Sequence, residues 1–98
     1  MSNVSIQQMP AFKRVYKKLH KSQKKFVDNA LRDIIKDPLL GTEQKGYLSG
    51  VFVYKFKIHT QDLLLSYIWV PSERMLLALG VHDNFYRDLK ATSNQIVL

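Results

Sequence analysis

The chain has 98 residues, of which 46% are hydrophobic and 23% charged. That is the make-up of one small globular domain with a core of modest depth, and it excludes a large enzyme built around a buried cofactor. There is no cysteine, which excludes disulfide scaffolds, thiolate zinc sites, thiol nucleophiles and iron–sulfur clusters. The net charge is +7, and all of the excess lies before residue 28: Lys13, Arg14, Lys17, Lys18, Lys21, Lys24 and Lys25 precede the first acid, Asp28. Such a segment points to a polyanion or an acidic protein partner, or is a solvated helix face; charge alone leaves the two open. The first eight residues lack the apolar run of a secretion signal. The longest mostly apolar stretch, residues 63–70, is far short of the roughly 20 residues that cross a bilayer. A soluble, cytoplasmic protein with no membrane partner is expected.

In chain order, residues 3–8 suit a short edge strand. After Pro10, which fits a first helical turn, Phe12, Val15, Tyr16 and Leu19 recur at helical spacing with Arg14, Lys17, Lys18 and Lys21 on the other side. His20-Lys21 breaks the pattern, and Ser22 is the expected N-cap of a second helix carrying Phe26, Val27, Ala30, Leu31, Ile34 and Ile35. Pro38 ends that helix, and residues 37–46 read as a loop. The period then becomes two. Phe52, Tyr54, Phe56 and Ile58 take one face of a strand, and Val53, Lys55, Lys57 and His59 the other. Thr60-Gln61 is expected to turn the chain into a nearly continuous apolar strand, residues 63–70, suited to a central position. Pro71-Ser72-Glu73 makes the next turn, residues 75–79 a further strand, and residues 82–90 a short helix. The order β-α-α-β-β-β with a short terminal helix predicts an α+β domain, a helical hairpin packed on a small, mainly antiparallel sheet.

Conventional cofactor and hydrolase signatures are missing. His20, His59 and His82 are too far apart for metal-ligand spacing, the four glycines form no phosphate loop, and no nucleophile elbow is present. No metal and no cofactor are expected. Two places hold chemistry. Lys55, Lys57 and His59, spaced by two along a strand, would form a cationic row about 7 Å between neighbours, either a solvent-facing strand surface or a seat for phosphates. After Gly80, His82 and Tyr86 stand at i, i+4 on one helix face with Arg87 beside them. The same residues also suit an ordinary helix in which Phe85 and Leu89 pack inward.

Taken together the chain resembles toxins of the RelE/ParE superfamily, the toxic half of type II toxin–antitoxin operons. Tyr54-Lys55-Phe56-Lys57 followed by Leu65-Ser66-Tyr67 is similar to the Y-K-x-K strand and the following L-x-Y strand of the RelE branch. There the two lysines contribute to mRNA cleavage. Gly80-Val81-His82-Asp83-Asn84-Phe85-Tyr86 is similar to the G-x-H-x-x-L-F ending of the YafQ-like ribonucleases, whose histidine is catalytic. The resemblance covers residues 4–90 and implies a single toxin domain over residues 1–98, with a tail at 91–98. There are departures. The arginine that the RelE branch carries on its third strand falls at Leu64, its catalytic arginine near the C-terminus falls at His82, and the further central-strand histidines of the YafQ-like enzymes are represented only by His59, out of register.

The resemblance implies a metal-independent, ribosome-dependent mRNA endoribonuclease that inhibits translation. A ribose 2′-OH attacks the adjacent phosphate, leaving a 2′,3′-cyclic phosphate and a 5′-OH. It implies His82 as general acid, or general base for a reversed substrate, and Lys55 and Lys57 as stabilisers of phosphate charge, one of them acting as base if desolvation lowers its pKa. Arg87 would be a phosphate fork and Tyr86 a stacking or orienting residue. His59 would be a substrate contact, and Lys17, Lys18 and Lys21 would hold ribosomal RNA or receive the cognate antitoxin. The ParE branch, which inhibits DNA gyrase, shares the fold without needing these groups, and a DNA-directed nuclease on the same scaffold is a further alternative.

Overall fold

The computed structural model describes residues 3–81; the helix expected over residues 82–90 and the tail, with His82, Tyr86 and Arg87, lie outside the described residues. Strand β1 (Ser5–Gln8) leads through Met9 into helix α1 (Pro10–Lys18) and helix α2 (Lys21–Lys36). Pro10 occupies the first turn of α1, where its missing N–H costs no hydrogen bond. The second helix starts earlier than the expected cap. His20, not Ser22, is its N-cap, and the Gln23 side chain turns back to accept the His20 N–H at 2.9 Å. Four further strands complete the sheet: β2 (Thr42–Glu43), β3 (Phe52–Ile58), β4 (Gln61–Val70) and β5 (Glu73–Gly80). The stretch expected as a plain loop thus holds a two-residue strand between 3-10 turns at Pro38–Leu40 and Gly46–Leu48.

The sheet runs β1-β5-β4-β3-β2, antiparallel except for the parallel β1–β5 pair. Two helices on a five-stranded mixed sheet make the expected α+β architecture. Alternation divides the sheet into two faces. Phe52, Ile58, Leu65, Tyr67, Leu76 and Leu79 meet Phe12, Val27 and Ile34 of the helices in one buried cluster. Val51, Val53, Leu64, Leu77 and Ala78 form a second. Leu77 and Ala78, though adjacent, share that second cluster because Ser66 pairs with Ala78 while Tyr67 pairs with Leu76, which leaves Leu77 as the extra residue of a bulge.

Tyr67 fastens the chain where it leaves α2. Its hydroxyl donates to the Pro38 carbonyl at 2.6 Å and accepts the Gly41 N–H at 3.1 Å. A Cβ at Gly41 would come within 2.7 Å of that oxygen, so glycine is required there for close approach. Burial holds the phenols of Tyr67 and Tyr54 above their ordinary value, and for Tyr54 a hydrogen bond from its hydroxyl to Asp33 at 3.1 Å adds to the effect. A raised phenol contributes stability that is fully present below the unfolded value of 10.0 and is lost as pH rises toward the folded one. Urea midpoints between about pH 8 and about pH 11 should therefore fall steeply above about pH 10. Tyr67→Phe should lower stability by about 1–3 kcal/mol at neutral pH and flatten the alkaline fall. An unchanged alkaline slope in that variant would assign the fall to other groups.

Candidate functional site

On β3 the residues of even number pack against the helices, so Lys55 and Lys57 project from the opposite face, and both are exposed. The site is placed by pairing across three strands: Lys55 lies opposite Leu64, and Leu64 opposite Gly80. Two strand spacings put the Lys55 backbone about 10 Å from the last residue of β5. The floor between them is apolar. Leu64, at the position where the RelE branch has an arginine, is only 9% exposed and belongs to the second buried cluster. No guanidinium therefore joins the lysines from that position.

One partner of the row escapes the sequence reading. Asp62 pairs with Lys57 across the hairpin, its Oδ1 lying 3.7 Å from Nζ. Both side chains stand at least half in water, at 69% and 50% exposure, so the ion pair is worth little and a stronger anion can displace it. The signal lies in the turn: two residues at 59–60 force residue 57 opposite residue 62.

That same turn removes His59 from the row. The alternation predicts that it follows Lys55 and Lys57 along one face, but β3 ends at Ile58. His59 occupies the turn with φ of +56°, a left-handed conformation that histidine enters more readily than branched residues do. Its ring meets Phe26 of α2 edge-on, with centroids 5.3 Å apart, which puts it on the helix side of the sheet. The cationic row is thus two lysines long.

Lys17 and Lys18, in the last turn of α1, and Lys21, the first residue of α2, are exposed together at the corner of the helical hairpin. Lys17 and Lys18 complement the negative end of α1, whereas Lys21 sits at the positive end of α2, where a cation is unfavourable. Behind them the Lys24 ammonium lies 5.3 Å from the centre of the Tyr16 ring, and the Tyr16 hydroxyl donates to Asp28 at 2.8 Å. A cleft of about 340 Å³ opens between this corner, the β3–β4 turn and the end of β5, lined by Val15, Leu19, Gln23, Ile58 and Leu63 and, at the end of β5, by Gly80 and Val81. Among the described residues no three His, Asp or Glu side chains are grouped to hold a metal ion, and no helix is long and apolar enough to cross a membrane.

Comparison with known proteins gives a consistent picture. A family model described as the ParE-like toxin of type II bacterial toxin–antitoxin systems matches residues 6–90. A free-state mutant of the E. coli toxin RelE superposes with a TM-score of 0.72 at 13% identity, over 99% of this chain and 100% of that one. The Staphylococcus aureus YoeB dimer gives 0.66 at 19% identity, over 83% and 99%. The Mycobacterium tuberculosis toxin–antitoxin complex RelBE2 gives 0.66 at 18%, over 82% and 99%. At these identities the likeness is one of fold. No curated protein matches the sequence.

Proposed function

We propose, because the chain belongs to the family of ParE-like toxins of type II bacterial toxin–antitoxin systems, that it inhibits translation as a ribosome-dependent mRNA endoribonuclease in the cytoplasm, restrained by a cognate antitoxin. The observation that carries this reading is the solvent-exposed pair Lys55 and Lys57 on the sheet face away from the helices, with Lys55 level with the end of β5. His82 follows that end by two residues in the sequence.

The chemistry is attack of a ribose 2′-OH on the neighbouring phosphate. It needs a group to take the 2′ proton, cations for the charge that builds on the phosphorane, and an acid for the leaving 5′-oxygen. Lys55 and Lys57 supply the cations, one of them also taking the 2′ proton, and His82 gives a proton to the leaving 5′-oxygen. Arg87 adds a forked phosphate contact, Tyr86 stacks on a base, and His59, on the helix side of the sheet, is a peripheral substrate contact. In a purified translation system the wild-type chain should cut mRNA only when ribosomes are present. Intact mRNA would sink the reading.

The ParE-like description of the matching family supports a second reading, a noncatalytic inhibitor of DNA gyrase, and a DNA-directed nuclease on the same fold is a third. Supercoiling and nicking assays run beside the translation assay separate them.

Two expectations accompany the nuclease reading. Replacing Lys17, Lys18 and Lys21 with Gln should weaken ribosome binding and make its salt dependence shallower. The slope of log affinity against log salt should fall by up to about 0.7–0.9 for each phosphate that is no longer neutralised. An unchanged slope would assign that corner to another partner. Asp62→Asn, which frees Lys57 from its carboxylate, should tighten binding of a short RNA at low salt and leave the melting temperature unmoved. Weaker binding would make Asp62 part of the substrate site.

A further inference from the structure

Tyr47 stands outside the core. Tyr16, Tyr54 and Tyr67 pack into the helix-side cluster or against it, and their hydroxyls donate to Asp28, Asp33 and the Pro38 carbonyl. Tyr47 is instead 69% exposed, and among the described residues its ring and hydroxyl have no partner. The turn that carries it is nonetheless well fastened. The Ser49 N–H donates to the Gly46 carbonyl and the Val51 N–H to the Leu48 carbonyl, each at 3.0 Å. The Gly50 N–H, on a residue with φ of +90°, donates to Oε2 of Glu43 at 3.2 Å. Leu48, next to Tyr47, packs on the cluster of Val51, Val53, Leu64, Leu77 and Ala78. Odd-numbered residues of β3 share that side of the sheet, so the turn borders the face from which Lys55 and Lys57 project. Val51, at the foot of the turn, is about 13 Å along the chain from Lys55. Lys45, two residues ahead of Tyr47, is exposed as well.

We propose that Tyr47 is a substrate-binding residue: its ring stacks on the base of a nucleotide flanking the scissile one, in a single-stranded RNA whose phosphates lie on Lys55 and Lys57. The proposal rests on the ribonuclease reading and extends its site along the lysine face of β3. An exposed phenol ring adds nothing to the core and leaves apolar surface in water; a base laid on it removes that surface. A fastened turn and a side chain with two torsions leave little freedom to be lost on binding. The surroundings choose between a base and a protein side chain. Lys45, Gly46, Ser49 and Gly50 are all exposed and are polar or lack a side chain, so they build no desolvated pocket of the kind that anchors a protein hot spot. A base needs only a flat face, with cations near for its phosphates. Stacking accepts any base but strengthens with ring area, so a purine is favoured over a pyrimidine at that position.

The test is binding of a short 2′-O-methyl RNA, which lacks the attacking hydroxyl and stays intact, with fluorescent 2-aminopurine placed at one position at a time. On the full wild-type chain one position should be quenched. Tyr47→Ala should abolish that quenching and weaken binding about 5- to 150-fold, whereas Tyr47→Phe keeps the ring and should keep both. The position is exposed, so both variants should melt as the wild type does. The slope of log affinity against log salt should be the same in all three proteins, because no phosphate contact is lost. Deleting the quenched base should weaken binding by the wild type and leave the alanine variant unaffected. Equal quenching by wild type and Tyr47→Ala, a shallower salt slope in that variant, or no binding at millimolar RNA would each overturn the proposal. So would a Tyr47→Ala protein that binds RNA normally but its antitoxin weakly, which assigns the ring to a protein contact. No cleavage is read here, so the two readings fail separately. Cleavage on ribosomes without position-specific quenching removes Tyr47 from the site and leaves the ribonuclease standing, and quenching without cleavage removes the ribonuclease and leaves Tyr47 as a contact for single-stranded RNA.

Discussion

His82→Ala is expected to slow mRNA cleavage on ribosomes by about 10²–10⁴-fold, the usual contribution of a positioned acid or base. Lys55→Ala and Lys57→Ala should each cost about 10²–10³-fold, as expected for removing one preorganised charge from a transition state. The three are expected not to add. Groups that stabilise one phosphorane act as a unit, and a triple variant should retain nearly the rate of the worst single one. The lysines allow a clean reading because they lie exposed on β3, where substitution changes stability by no more than about 0.5 kcal/mol. Lost cleavage at an unchanged melting temperature is therefore lost chemistry. Lys55→Arg refines the assignment. It keeps the charge but replaces a point donor with a planar fork, so preserved ribosome binding with reduced single-turnover cleavage would fix the role of Lys55 at the reacting phosphate. Full cleavage by His82→Ala would remove His82 from the mechanism, and a gyrase inhibitor would show no cleavage in any of these proteins.

Much of this surface is legible in the sequence because period two is a strong signal. Four apolar residues alternating with Val53, Lys55 and Lys57 assign both faces of β3 with no knowledge of its partners. What periodicity does not carry is where a strand stops. The turn falls at 59–60, one residue earlier than the sequence suggests, and that shift alone sends His59 to Phe26 and brings Asp62 opposite Lys57. Moving a two-residue turn by one position shifts every cross-strand pair by two residues, so the partners change while the faces of the strand residues stay the same. The bulge at Leu77 is hidden for a different reason. Residues 75–79 are apolar or small at every position, so nothing in the pattern marks the residue that breaks the alternation. The candidate site is readable only in part, because its lysines lie on a strand while His82, Tyr86 and Arg87 fall beyond the described residues.

Arg74 is where sequence reasoning says least and where the largest loss of stability is expected. A charged residue just past a Pro-Ser turn looks like an exposed strand start, yet this one is only 2% exposed. Among the described residues its hydrogen-bond partners are carbonyl oxygens: Ile34 from Nε at 2.9 Å, Ile35 from Nη2 at 3.1 Å, and Val70 and Glu73 from Nη1 at 2.7 and 3.1 Å. The Trp69 ring centre lies 5.7 Å away. Ile34 and Ile35 are in the last turn of α2, where carbonyls have no helical N–H to accept and the helix dipole is negative. The guanidinium thus closes the end of α2 and joins it to the β4–β5 turn. Arg74→Leu deletes the charge and leaves the buried Ile34 carbonyl and three part-buried ones without this donor, at about 1–3 kcal/mol for a buried one and less for those that water reaches. A loss of about 4 kcal/mol is expected, a large share of the roughly 5–15 kcal/mol that holds a domain together. For a domain of this size each kcal/mol moves the melting temperature by about 4–8 °C. Arg74→Lys separates charge from shape. An ammonium retains the attraction to the helix end but lacks the flat fork that reaches α2 and the turn at once, so it should recover less than half of the loss. Urea denaturation of both variants decides the point, and a lysine variant as stable as the wild type would mean that the positive charge alone holds α2 to the sheet.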